Sequence, residues 1–126
     1  MAVASEMFDS EHAKVCLDHV ATSLMEHGCM GIKTLDPTDK QYNGNYVNSD
    51  TSHGFNYHQG PEWLWPVGFF LKARLIFNNF ESAEEHKQET LKYLLPHREH
   101  ILKDKWRGLP ELTNAHGKMC PDSCAT

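Results

Sequence analysis

The chain has 126 residues, with 12 Lys and Arg against 17 Asp and Glu and a formal net charge of −5 when histidine is neutral. That length fits one domain on the usual ~100–200-residue scale, and the acidic balance excludes the basic footprint of a nucleic-acid-binding surface. Leu, Ile, Val and Phe make up about a fifth of the sequence, near the ~20% below which acidic chains tend toward disorder, so the core is expected to be lean. The opening MAVASEMFDSEH has neither a basic flank nor an apolar run, which argues against a secretory signal. With four cysteines and no Asn-x-Ser/Thr sequon, the reading is a cytoplasmic protein with reduced thiols. Asp9 and Ser10 can cap a helix in which Ala13, Cys16, Leu17, Val20, Ala21 and Leu24 recur at helical spacing until Gly28 offers a stop. An amphipathic helix with one buried face is expected there. Residues 31–52 carry Asp36-Pro37, Asn43-Gly44-Asn45 and Asn48-Ser49-Asp50 with almost no apolar periodicity, so they read as a long loop, a type that is usually functional. From Pro61 to Phe80 the chain turns apolar, with Pro61 or Pro66 suited to a first helical turn. The apolar positions cover most of the circumference, which predicts burial by several neighbours. Its most apolar part, residues 63–71, is far shorter than the ~20 residues that span a bilayer and is followed by Lys72 and Arg74, so membrane functions are excluded. Residues 82–95 predict a more polar helix that Pro96 kinks or restarts as residues 97–104. Gly108, Pro110, Asn114, Gly117 and Pro121 make residues 106–126 a loop. The expectation is an all-α chain of three to four helices with long loops. One strongly apolar helix with two amphipathic partners leaves surface uncovered, as in a piece of something larger.

The densest chemistry lies in Gly54-Phe55-Asn56-Tyr57-His58-Gln59-Gly60-Pro61-Glu62-Trp63-Leu64-Trp65-Pro66. Flat aromatic faces beside short polar side chains suit a pyranose, whose C–H face packs on a ring while its hydroxyls need donors and acceptors. The competing reading is the start of a helix in which Trp63 and Trp65 are core anchors and Glu62 favours the helix dipole. A second candidate is Glu111, held between Pro110 and Leu112 in a rigid, partly apolar loop that can fix a carboxylate for general-base work. A solvated surface glutamate would look the same. Nine histidines and the Cys120-Pro-Asp-Ser-Cys124 pair invite a metal reading. Zinc, however, needs a second cysteine pair or a His-x3–5-His partner for it, and neither His53 and His58 nor His97 and His100 complete such a set. No phosphate-binding glycine pattern and no Gly-x-Ser-x-Gly elbow occurs, so no cofactor is expected.

The run GFNYHQGPEWLWPVGFFLKARL, preceded by GIKTLDPTDKQYNGNYVNSD and followed by WRGLPELTN and CPDSC, closely resembles the C-terminal end of eukaryotic glycogen debranching enzymes. The likeness covers nearly the whole chain, with all motifs in order. It implies that residues 1–126 are a partial C-terminal amylo-α-1,6-glucosidase domain, part of a barrel of six inner and six outer helices. That family's glucosidase is an inverting hydrolase removing the single α-1,6-linked glucose left as a branch stub on glycogen. The resemblance maps the general base onto Glu111 of the Glu-Leu-Thr-Asn segment, with Glu62 as the reserve carboxylate. Tyr57, His58, Gln59, Trp63 and Trp65 would line the sugar site. The general acid belongs to an earlier part of the barrel that has no match here. Twelve helices of ~11–12 residues with loops of ~4–6 exceed this chain, so the partners expected are a branched α-glucan and the remainder of the barrel, and the fragment alone is expected to be inactive. The alternatives are a non-catalytic glucan-binding fragment and a small helical interaction protein whose Trp and Phe face covers a partner.

Overall fold

The computed structural model describes residues 9–48, 54–78 and 80–123. Residues 1–8 and Ser49, Asp50, His53 and Cys124, on which parts of the sequence reading fall, lie outside the described residues. Three helices are present among the described residues: α1 (Ser10–His19), α2 (Trp65–Phe77) and α3 (Ala83–Lys103). Asp9 caps α1 by accepting from the Glu11 N–H, and Ser82 caps α3 by accepting from the Glu85 N–H. Both caps satisfy donors that the first helical turn leaves open. In α2, Pro66 occupies the first turn, where its missing N–H costs nothing.

The all-α expectation needs correction. Two segments read as loop, together with the expected start of the apolar helix, form a four-stranded antiparallel sheet of β1 (Ile32–Lys33), β2 (Glu62–Trp63), β3 (Leu112–Asn114) and β4 (Lys118–Met119), paired in that order. Ile32 pairs with Trp63, Trp63 with Leu112, and Thr113 with Met119. Strands of two or three residues are too short to show a period-2 pattern, and only pairing between distant segments makes them. The helix expected from Pro61 therefore begins later, because Glu62 and Trp63 are already committed to β2.

The helices differ from expectation in three further ways. The first ends in a π-helical turn over Val20–Leu24 rather than running to Gly28, and α1 has no buried residue. Along α2 only Val67 and Phe70 are buried, while Phe69, Leu75 and Ile76 are exposed. Of the two outcomes expected at Pro96, a kink or a restart, the restart does not occur, because the third helix is continuous through it.

The core sits on the sheet. Leu112 and Thr113 are fully buried, and Trp63, Leu112 and Cys120 form its apolar cluster with Tyr46 and Tyr57 packed against it. The described parts of the long loop before β2 are tied to the sheet and to one another. Asn114 Oδ1 accepts from the Tyr46 N–H (2.8 Å), the Ala115 N–H donates to the Gly44 carbonyl (2.7 Å), and Asn56 Nδ2 donates to the Asn45 carbonyl (2.6 Å). Gly60 lies against that loop with φ +146°, and a Cβ there would stand 2.6 Å from the Asn43 backbone. Only glycine fits so close a backbone approach.

Candidate functional site

The site is built where β2 and β3 meet the two long loops. Glu111 immediately precedes β3, and its carbonyl accepts from the Leu64 N–H at 3.3 Å, which ties it to the junction of β2 and α2. Its side chain is exposed and borders two cavities. One, of about 420 Å³, is lined by Tyr46, Asn48, Gly54, Tyr57, Asp122 and Ser123 together with Glu111. The other, of about 410 Å³, is apolar and runs past Leu64, Trp65, Val67, Leu94, His97 and Leu109 to Glu111. Pockets of this size hold small ligands. Glu111 thus stands between a polar cavity with aromatic walls and an apolar one.

Of the expected aromatic residues, Tyr57 lines the polar cavity and forms edge-to-face contacts with Tyr46 (4.9 Å) and Trp63 (4.6 Å). Trp63 is a core residue, 9% exposed, whose Nε1 donates to the Tyr57 carbonyl at 3.1 Å. His58 stacks on it at 5.0 Å with an interplanar angle of 22° and is itself exposed. The ring surfaces lining the polar cavity therefore belong to Tyr46 and Tyr57, and Trp63 packs against Tyr57 from the core. Gln59 is half-buried, and its carbonyl accepts from the Asn43 N–H, which secures the loop wall. Trp65, at the start of α2, is 64% exposed and lines the apolar cavity, on the other side of Glu111 from Tyr57.

Glu62 is placed differently. It is fully buried in β2, where its Oε2 accepts from Thr113 Oγ1 (2.9 Å) and from the Gly117 N–H (3.2 Å). Oε1 is buried without a hydrogen-bond partner among the described residues. Burial pushes the carboxyl up from its ordinary value, against the opposing pull of the Thr113 hydrogen bond and the Lys33 charge. Glu62 lines neither cavity beside Glu111. It belongs instead to a cluster in which Glu26, Cys29 and Glu62 bring ligand atoms within 4.8 Å of one another. Such a trio could coordinate a metal, but the ammonium of buried Lys33 already pairs with Glu26 at 3.3 Å. The Cys29 thiol is pushed up to about 11, first by burial and then by the Glu62 and Glu26 charges. A protonated thiol beside an internal cation is a poor metal ligand set. Among the described residues Cys16, Cys29 and Cys120 are free thiols.

Tyr46, Asn48, Asp122 and Ser123 were not expected at the site from the sequence. Asp122 and Ser123 drew attention only as part of the CPDSC motif and its cysteine pair, and Tyr46 and Asn48 only as part of the turn-rich segment before Gly54. Nothing local reveals that Asp122 Oδ2 accepts from the Asn48 N–H at 3.1 Å, one of several bonds that join the two loops.

Residues 1–126 match the family model described as amylo-alpha-1,6-glucosidase. The chain is also 38% identical, over 146 aligned positions, to the glycogen debranching enzyme of Saccharomyces cerevisiae (strain ATCC 204508 / S288c), a match covering 100% of this chain and 9% of that protein. The chain belongs to the amylo-alpha-1,6-glucosidase family. It spans 9% of the length of this curated relative, so it corresponds to a fragment of that protein. Among the described residues no helix is long and apolar enough to cross a membrane.

Proposed function

We propose that this chain is the part of a glycogen-debranching α-1,6-glucosidase that carries the general base and one wall of the glucose site. Its family membership supports a role in glycogen debranching. The observation that carries the finer reading is the position of Glu111, exposed on a backbone tied to Leu64 and bordering a cavity walled by Tyr46 and Tyr57. In an inverting hydrolysis, Glu111 takes a proton from water as the water oxygen bonds to the anomeric carbon. The glycosidic C–O bond breaks, and its oxygen receives a proton from an acid on the opposite face. That acid lies outside this chain, in helices of the longer polypeptide that complete a six-fold α/α barrel. Tyr57, His58, Gln59 and Trp65 contact or frame the glucan, and Trp63 supports them. Buried Glu62 orients β3 through Thr113 rather than touching the reacting atoms.

The test is to graft this chain onto the yeast relative in place of the segment it matches and to follow glucose release from a branch-stub dextrin by NMR. Release of the β-anomer, lost on Glu111→Gln by roughly 10²-fold or more as expected for a general base, with dextrin binding retained, is the expected result. Release undiminished in Glu111→Gln would overturn the reading, as would glucose release by the isolated chain.

A further inference from the structure

Resting on that reading, we propose that Lys33 and Glu26 are positioning residues for the general base, completing with Glu62 a clamp on the β3–β4 hairpin that begins immediately after Glu111. The sheet register sets the clamp up. Lys33 pairs with Glu62 and Glu62 with Thr113, so their side chains form one row across three strands, while Ile32, Trp63 and Leu112 form the neighbouring row on the opposite face. One row belongs to the apolar side and the other is a buried polar ladder. Lys33 is 6% exposed, and its ammonium lies 3.3 Å from Glu26 Oε2. Carboxylate oxygens of Glu26 and Glu62 come within 4.8 Å of each other, and the Lys33 charge favours the ionised form of both. Each carboxylate then grips the hairpin at a different point. Glu62 accepts from Thr113 Oγ1 and the Gly117 N–H, and Glu26 accepts from His116 Nδ1 at 3.0 Å. His116 sits at the hairpin tip with φ +61°, a left-handed conformation that a non-glycine residue keeps when its surroundings hold it there. The same hairpin carries the cavity wall, because Asn114 Oδ1 accepts from the Tyr46 N–H and the Ala115 N–H donates to the Gly44 carbonyl. The clamp therefore sets base and wall relative to each other. A buried ion set adds little net stability, since desolvation offsets the attraction; its contribution here is a fixed geometry.

The experiment measures kcat and KM for a branch-stub dextrin in the graft onto the yeast relative, comparing Lys33→Met, Glu26→Leu with Glu26→Gln, and Thr113→Val with Thr113→Ser. Glutamine keeps an acceptor for His116 and serine keeps the donor to Glu62, whereas leucine and valine keep bulk without the bond. Each variant is assayed below its melting midpoint. Lys33→Met, Glu26→Leu and Thr113→Val should each lower kcat about tenfold with KM changed less than about twofold, a loss within the ~10²-fold that a 1 Å misplacement can cost. Glu26→Gln and Thr113→Ser should stay close to the unsubstituted graft. A kcat in Thr113→Ser as low as in Thr113→Val would assign the position to packing and overturn the clamp, as would kcat unchanged in Lys33→Met and Glu26→Leu. If Thr113→Val does not fold, the Glu26 pair decides, because that side chain is 39% exposed. Glu111→Gln in the same series separates the two failures. Its activity retained overturns the base reading and the clamp with it, whereas its activity lost beside unchanged kcat in the clamp variants overturns the clamp alone.

Discussion

Thr113 and Glu62 are separated by 51 positions in the sequence yet meet across the β2–β3 pair, where the threonine hydroxyl donates to the carboxylate at 2.9 Å and both residues are fully buried. The bond lies two residues beyond Glu111, so the same contact that closes the sheet sets where the exposed carboxylate begins. Replacing Thr113 by Val keeps the shape and removes the donor from a buried acid. A hydrogen bond to a charged group contributes about 1.5–3 kcal/mol, and urea unfolding of Thr113→Val should show a loss in that range. A variant as stable as the natural chain would mean that the Gly117 N–H alone satisfies the carboxylate.

Burial raises the Glu62 carboxyl above its model-peptide value of 4.5. For an acid raised in the folded state, the proton is bound more tightly in the native chain than in the unfolded one. That contribution is complete below 4.5 and is lost as pH rises through the folded value. Glu26 runs the other way: its hydrogen bond with His116, with a further contribution from Lys33, holds it below 4.5. Its contribution is present above 4.5 and fades as pH falls. Glu62→Gln removes only the first effect. Relative to the natural chain, this variant should gain melting temperature between acid and neutral pH, and a difference that stays constant across that range would refute the assignment.

The helices were legible because their signals are local. Asp9 and Ser82 sit where caps belong, and Pro66 falls in a first turn. The sheet was not, because Lys33, Glu62 and Thr113 become strand residues only through partners dozens of positions away. The candidate site divides in the same manner. Glu111 and Tyr57 were found through motif and residue chemistry, and they border one cavity. Trp63 was read from the sequence both as a sugar-site residue and as a core anchor, and its 9% exposure beneath His58 agrees with the core anchor. Asp122 and Tyr46 lay in quoted motifs but were not assigned to the site, since each is placed by a bond between separate loops, the Asn48 N–H to the Asp122 carboxylate and the Tyr46 N–H to the Asn114 side chain.

Pro96 was expected either to kink the third helix or to restart it, and Ala83–Lys103 continues through it as one helix. Proline has no N–H for the carbonyl four residues earlier and its ring crowds that carbonyl, at a cost of roughly 3 kcal/mol relative to Ala in a helix interior. The next residue, His97, is buried, and its Nδ1 lies 2.9 Å from the Tyr93 carbonyl, filling part of the disturbed turn. Pro96→Ala should raise the thermal midpoint by restoring a regular turn. A lower midpoint would show that the packing of His97 depends on the proline bend.

The apolar residues that remain uncovered make the last prediction. Phe69, Leu75 and Ile76 on α2 and Leu94, Leu95 and Leu102 on α3 are each between 40% and 56% exposed. So much apolar side chain facing water is unusual for a monomer and marks a surface that another element covers. If the covering element is the rest of a longer debranching polypeptide, two consequences follow from one substitution, Ile76→Lys. In the isolated chain it should reduce binding of a hydrophobic dye and reduce self-association, with no loss of thermal midpoint, because Ile76 packs against little. In the graft onto the yeast relative the same lysine should lower the midpoint, because burying an unpaired charge at a packed interface is costly. Equal behaviour of Ile76→Lys in both settings would mean that α2 faces solvent in the complete enzyme too.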